Sequence, residues 1–509
     1  MNKNETPAFT ENGRIYGAGG GAPSGDAELY GRTLAFLFSA ALRNVLPGRG
    51  VLLCNSEACA RYYTFASGPR AGEDEAARLA AEMRRLAGED LEIRCLDIDY
   101  RRALSYFEAK RFDDTALLLR QRGRAFVRVH QLGGFLALYG APLLPRTGRL
   151  SVFDLSVYRD GFLLRFPPAG AGGTLQGFAG TPKIFSAYDE YKKWGRISGV
   201  RSAGHVNGMI ADGSISDFIG MNEAFSDKKL SAIADEVYGR RDDVKLVLLA
   251  GPSSSGKTTT AKRLSVHLKV LGIEAVAVSL DDYYLHPDQA PKDENGRPDL
   301  ECLEALDVDY LNRQLLELLA GRSVTLPLFD FRTGTRKEGK TISLGKRREV
   351  LVVEGIHGLN DALTYQIKNE NKFKVFVSVL TQITVDDQNP VDTCDNRLLR
   401  RIVRDSQFRG MSALRTLSMW DSVQRGAEKY IFRFEDRADA VFNSTLDYEI
   451  PVLKCYAERL LRGVSPEDAV YGEAARLLAL LDNFDILPPQ AVPANSILRE
   501  FIGGSGFKY

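Results

Sequence analysis

The eight residues Gly251-Pro-Ser-Ser-Ser-Gly256-Lys257-Thr258 spell G-x-x-x-x-G-K-[ST], a spacing with explicit chemistry. Small residues let successive backbone N–H groups close around a phosphate, and the following helix adds its positive N-terminus. The lysine then reaches the terminal phosphate oxygens while the threonine hydroxyl ligates Mg2+. Gly251, Ser253, Ser254, Ser255, Gly256, Lys257, Thr258 and Thr259 are therefore expected to hold a nucleoside triphosphate. The next apolar run, Ala275 to Leu280, leads into Asp281-Asp282-Tyr283-Tyr284. Ligands of α/β sheets sit beyond the carboxyl ends of the strands, so Asp281, closing the neighbouring strand, is the candidate general base facing the attacking hydroxyl. Asp282 is better suited to capping the next helix. Val350 to Val353 ends in Glu354-Gly355-Ile356-His357-Gly358, which puts an acid in the Walker-B position for Mg2+. A lone histidine beside two glycines reads as a local hydrogen-bonding residue. Arg397, Arg400 or Arg401, and Arg404 recur at i, i+3/4 and i+7, giving one helix face guanidinium forks that match phosphate oxygens.

Positioning these groups requires strands that alternate with helices. Lys245 to Ala250, Ala275 to Leu280, Val350 to Val353, Phe373 to Leu380 and Ala440 to Phe442 are apolar runs separated by amphipathic stretches, the pattern of βαβ units and a parallel sheet. Upstream, residues 26–180 interleave helical and β-type runs and are expected to form an α+β domain, with helices from Asp26 to about Pro47 and from Ala76 to Gly88. Residues 1–25 are polar and Gly-rich and are expected to be a flexible tail. Residues 181–243 form a helical connector, 244–485 the phosphate-binding domain and 486–509 an extension.

Composition narrows the classes further. The chain has 509 residues, 44% hydrophobic and 26% charged, which excludes a disordered or coiled-coil protein. Lys+Arg number 67 and Asp+Glu 66, so no bulk charge favours nucleic acid or an anionic membrane as partner. No run of 18 apolar residues and no signal-peptide pattern is present, and the expectation is a cytoplasmic protein with no membrane partner. The six cysteines are scattered and read as reduced thiols.

These segments, in this order, resemble the uridine kinase and phosphoribulokinase family of P-loop small-molecule kinases over roughly Val244 to Leu480. The resemblance implies a P-loop NTPase fold, a parallel sheet with helices on both faces, and ATP and Mg2+ as cofactors. It makes Lys257 and Asp281 catalytic, gives Thr258 and Glu354 to the metal, and assigns Arg401, Arg404 and Arg409 to a lid. Pro327-Leu-Phe329-Asp330-Phe331 is similar to the segment lining the family's nucleoside pocket, and Asp299 to Asp307 holds the place of its ribose-binding acidic segment. Tyr283, Glu301, Phe329, Asp330 and Arg336 are accordingly candidates for the acceptor site. Departures fall where the base is read: Gly334 stands for a histidine, Met411 for the second arginine of the lid's Arg-Gly-Arg, and Met419 for a glutamine.

Residues 26–180 resemble the second, editing-type domain of threonyl-tRNA synthetase, but the place of its H-x-x-x-H pair reads Arg32-Thr-Leu-Ala-Phe36 and no histidine precedes His130. His-assisted or zinc-dependent editing is not expected, and the domain reads as a binding or assembly element. The leading expectation is phosphorylation of a nucleoside, most simply at the 5′-hydroxyl, by ATP. One alternative is kinase action on another small alcohol, such as a sugar phosphate or a pantothenate-like molecule. The other is a nucleotide-sensing RNA-binding regulator. Assembly into a homo-oligomer stays open.

Overall fold

The computed structural model describes residues 9–11, 14–16, 26–57, 59–65, 68–168, 173–175, 182–292, 296, 298–330, 333–345 and 348–508. Most of the expected tail, and Phe331 of the pocket segment, lie outside the described residues. Two short strands of that tail are described. Phe9–Glu11 pairs antiparallel with Arg14–Tyr16, in the register Glu11↔Arg14. The Asn12-Gly13 dipeptide between them is the strongest short hairpin signal a sequence carries.

In the N-terminal domain the helices Asp26–Val45 and Glu73–Gly88 lie against two antiparallel sheets. One sheet runs Val51–Glu57, Ala60–Phe65, Gly161–Arg165, Asp154–Tyr158; the other runs Arg94–Asp99, Phe126–Leu132, Phe135–Ala137. Apolar residues spaced along the first helix, Leu29, Phe36, Leu37 and Phe38, are completely buried with Leu79, Met83, Phe162 and Leu164. Phe36 is thus a core residue.

Three helices, Pro182–Ser198, Ala203–Asp212 and Ile215–Gly239, lead into the second half. They have no core of their own. Phe218, Leu230, Ile233 and Val237 join the same apolar cluster as the central strands, and Trp194 stacks on Phe225 while its Nε1 donates to Asp447.

The second half is built on a five-stranded, wholly parallel sheet in the order Glu274–Ser279, Glu349–Glu354, Leu246–Ala250, Lys372–Ser378, Ala440–Asn443. Leu246 to Ala250 are entirely buried, as a strand covered on both faces must be. Register aligns the carboxyl ends: Glu354 pairs with Leu249 on one side and Ser279 on the other. The strand that leads to Asp281 is therefore not the spatial neighbour of the loop-bearing strand, as the sequence order suggested. The Glu354 strand lies between them.

A hairpin of Val324–Asp330 and Thr335–Ile342 stands apart from this sheet. Its outer strand carries Lys337, Glu338 and Lys340, so it lacks the apolar run that marks the other strands. Among the described residues no helix is long and apolar enough to cross a membrane. Cys59, Cys95, Cys302, Cys394 and Cys455 take part in no disulfide among the described residues.

Candidate active site

The loop from Gly251 to Gly256 turns sharply from strand to helix. Ser254 and Gly256 both adopt the left-handed region, at φ +63° and +82°. A Cβ on Gly251 would lie 2.0 Å from the Val377 carbonyl oxygen, so only glycine fits between the two strands there. The loop opens the helix Lys257–Val270, whose first amides have no partner within the helix. Ser254 and Ser255 are buried, and their hydroxyls find no hydrogen-bond partner among the described residues. A helix N-terminus beside two orphaned, buried hydroxyls fits an oxyanion group such as a phosphate.

Lys257 is half-buried and donates to the Pro252 carbonyl at 3.1 Å. Burial lowers its pKa, while Glu354, Asp281 and Glu500 oppose that shift. Glu354, at the end of its strand, accepts from the Ser279 hydroxyl at 3.0 Å and the Thr258 hydroxyl at 3.3 Å. Burial, and after it the charge of Asp281, push its carboxyl up to about 7. Two interacting carboxyls beside the Thr258 hydroxyl fit a divalent cation, which Thr258 and Glu354 would hold with Asp281 nearby. Among the described residues there is no group of three His, Cys, Asp or Glu side chains poised for a metal, and hydrated Mg2+ with phosphate ligands needs fewer.

Asp281 lies in a short 3-10 turn, Leu280–Tyr283, past the end of its strand. Its charge acts on Lys257, Glu354, Glu301 and Tyr284, so it belongs to the same electrostatic cluster as the loop lysine. Its neighbour Asp282 caps no helix. Its carboxylate accepts from the Phe329 amide at 3.1 Å and so ties the hairpin to this turn. Tyr284 meets the Phe329 ring at 5.9 Å.

Tyr283 corrects the sequence expectation. It is 1% exposed and its hydroxyl donates to Gln314 at 2.6 Å, because alternation along the turn points it into the core. Arg336 is likewise a brace. Its guanidinium donates to the Tyr284 carbonyl at 3.0 Å and to Asp307 at 3.1 Å. Asp330 pairs with Lys337 across the hairpin at 2.9 Å. Glu301 feels the charges of the loop and the arginine helix: burial raises its pKa, and Arg401 and Lys257 pull it back. It packs against Gly426, where a Cβ would lie 2.6 Å from its side chain.

The sequence model of the phosphoribulokinase / uridine kinase family matches residues 246–451. The uridine kinase of Ureaplasma urealyticum serovar 10 is 30% identical over 177 residues, covering 35% of this chain and 76% of that protein. The chain belongs to this family. The uridine kinase of Proteus mirabilis is also 30% identical, over 182 residues, 35% of this chain and 77% of its own. A solved structure, a possible uridine kinase from Bacillus stearothermophilus, is 21% identical and aligns with 41% of this chain and 100% of its own at a TM-score of 0.26.

The arginine helix of this family member, Thr393–Arg409, lies directly on the phosphate loop. Arg397 Nε donates to the Ser253 carbonyl at 3.3 Å and Arg401 to the Ser253 hydroxyl at 2.7 Å. Arg401, Arg404 and Arg409 share one acid, the fully buried Asp405, at 3.3, 3.0 and 3.5 Å. Asp405 was not singled out from the sequence, although its i+4 spacing from Arg401 and to Arg409 was there to read. Arg400 forms a fully buried pair with Glu449 at 2.5 Å, donates to the Ser444 carbonyl at 2.9 Å and reaches the Ser254 carbonyl of the loop at 3.5 Å. Glu449→Ala would strand that guanidinium without a counter-charge and is expected to destabilise the fold by about 3 kcal/mol, read as a lower urea midpoint.

Glu354 also makes a pH prediction. A carboxyl titrating near 7 must lose its proton to ligate a cation, so at limiting Mg2+ turnover should rise between pH 6 and 8. Saturating Mg2+ should move that limb to lower pH. In the metal-free chain the raised pKa favours the folded state most below the ordinary glutamate value of 4.5, and this stabilisation is lost as pH rises through about 7.

Proposed function

We propose that this protein transfers the γ-phosphoryl group of ATP to a hydroxyl of a small molecule, a nucleoside 5′-hydroxyl being the leading acceptor. The observation that carries the reading is the convergence of Lys257, Asp281 and Glu354 at the open end of one parallel sheet, beside a loop whose buried Ser254 and Ser255 hydroxyls have no partner among the described residues. In this reading the loop amides and Thr258 position the triphosphate, and Lys257 holds the β/γ oxygens. Asp281 takes the proton of the attacking hydroxyl, and Arg401, Arg404 and Arg409 stabilise charge spread over the transferring group. When bound, Mg2+ would neutralise charge on the phosphate oxygens. Phe329, Asp330 and Glu301 border the acceptor.

The relatives named uridine kinases support the nucleoside class. Base reading differs, however. Gly334 has φ +68°, and a Cβ there would meet Pro287 at 2.9 Å, so this backbone disfavours the family's histidine. Met419 is 40% exposed and offers no donor to a uracil edge. Another small alcohol is therefore the second reading. The N-terminal domain, with Arg32 and Phe36 in place of the histidine pair, we assign to binding or assembly.

The test is a panel of nucleosides, sugar phosphates and pantothenate-like alcohols with ATP and Mg2+, scored by ADP release and product mass. ADP formed with nucleosides alone supports the first reading, and ADP formed only with another alcohol supports the second. No ADP with any acceptor, together with tight RNA binding, overturns both.

A further inference from the structure

The segment after Leu481 folds back onto the phosphate loop. Ser496, Ile497, Leu498 and Phe501 are completely buried, and Ile497 presses so closely on Gly256 that a Cβ there would lie 2.6 Å from its Cγ2. Phe501 lies 5.0 Å from the Arg400 guanidinium, Ser496 shares a hydrogen bond with Tyr448, and Lys262 donates to the Lys508 carbonyl.

This packing delivers Glu500 to the first turn of the helix that opens the cradle. Its Oε2 accepts from the Thr259 amide at 2.9 Å and from the Thr259 hydroxyl at 2.7 Å. Thr259 is fully buried, so these two donors need an acceptor at all times. A phosphate oxygen and a carboxylate oxygen serve equally as that acceptor, and both carry negative charge. They cannot share the site. A triphosphate gripped at Lys257 and Thr258 runs past Thr259 with several negative charges, against which an ionised carboxylate is a like-charge obstacle.

We propose that Glu500 is a built-in competitor, holding the place of a nucleotide phosphate oxygen, and that nucleotide entry expels it and loosens the segment that carries it. The inference rests on the nucleotide-site reading above and adds a gate to it. The segment also touches the arginine helix, through Phe501 at Arg400 and Gly503 beside Phe408, so expulsion of Glu500 is transmitted to the helix that covers the loop.

The experiment uses the full chain and two probes, ADP and ATP with Mg2+, with affinity measured by calorimetry and backbone protection of residues 496–508 by hydrogen exchange. Glu500→Gln keeps the shape and an acceptor but removes the charge; Glu500→Ala removes both. Both variants are expected to bind ADP about 10-fold more tightly than the natural chain, the gain falling as salt is raised. In the natural chain saturating ADP should speed exchange across residues 496–508 by about 10-fold. Equal or weaker ADP binding by both variants, or added protection of the segment by ADP, overturns the competitor while leaving the nucleotide site standing. Absence of ADP and ATP binding in all three proteins overturns the nucleotide site and the gate together.

Discussion

Lys257→Ala is expected to lower turnover about a thousandfold while leaving the melting temperature within about 2 °C of the natural chain. The asymmetry follows from what the side chain does in the fold. Its one structural bond is to the Pro252 carbonyl, on its own loop, so little packing is lost when it goes. Burial works against its charge, and the acids Glu354, Asp281 and Glu500 are what keep that charge favourable. Such an ammonium gains most when charge develops on phosphoryl oxygens within its reach, a stabilisation realised in the transition state more than in binding. Steady-state ADP release together with thermal melting separates the two effects. A large fall in stability, or turnover within tenfold of the natural chain, would remove Lys257 from the chemistry.

The parallel sheet was legible because its five strands are short apolar runs that must be covered on both faces, and the cradle because its chemistry constrains eight consecutive residues. What escaped notice depends on partners far apart in sequence. Glu500 contacts Thr259 across 241 residues, and no local pattern ties the two together. Tyr283 and Tyr284 are adjacent and chemically alike, and only the geometry of the turn decides that one faces Gln314 and the other Phe329. Strand order was misjudged for a related reason. The chain visits the edge of the sheet at Glu274–Ser279 before it fills the gap with Glu349–Glu354, and sequence alone does not distinguish the two positions. The hairpin at Val324–Ile342 was missed because its outward face is charged. It matters to the site nonetheless, since Asp282 holds it at Phe329.

Asp281→Asn tests the other half of the chemistry. The change preserves volume and removes one proton acceptor and one charge, so kcat is expected to fall by about 10^3 to 10^4 with the KM for ATP altered far less. A purely structural role would not give that split. The same variant carries a second, independent signature through Glu354. Asp281 is, after burial, the largest cause of the raised Glu354 carboxyl, so neutralising it should bring that carboxyl down from about 7 toward its ordinary range. The residual activity should then keep its acid limb at limiting Mg2+, but shifted to lower pH. Loss of kcat with an unmoved limb would place Asp281 on the acceptor side, away from the metal. A shifted limb with full kcat would make it an electrostatic neighbour of Glu354 and hand the base role to another acid, such as the half-buried Glu301, whose pKa is already raised and which interacts with Lys257 and Asp281.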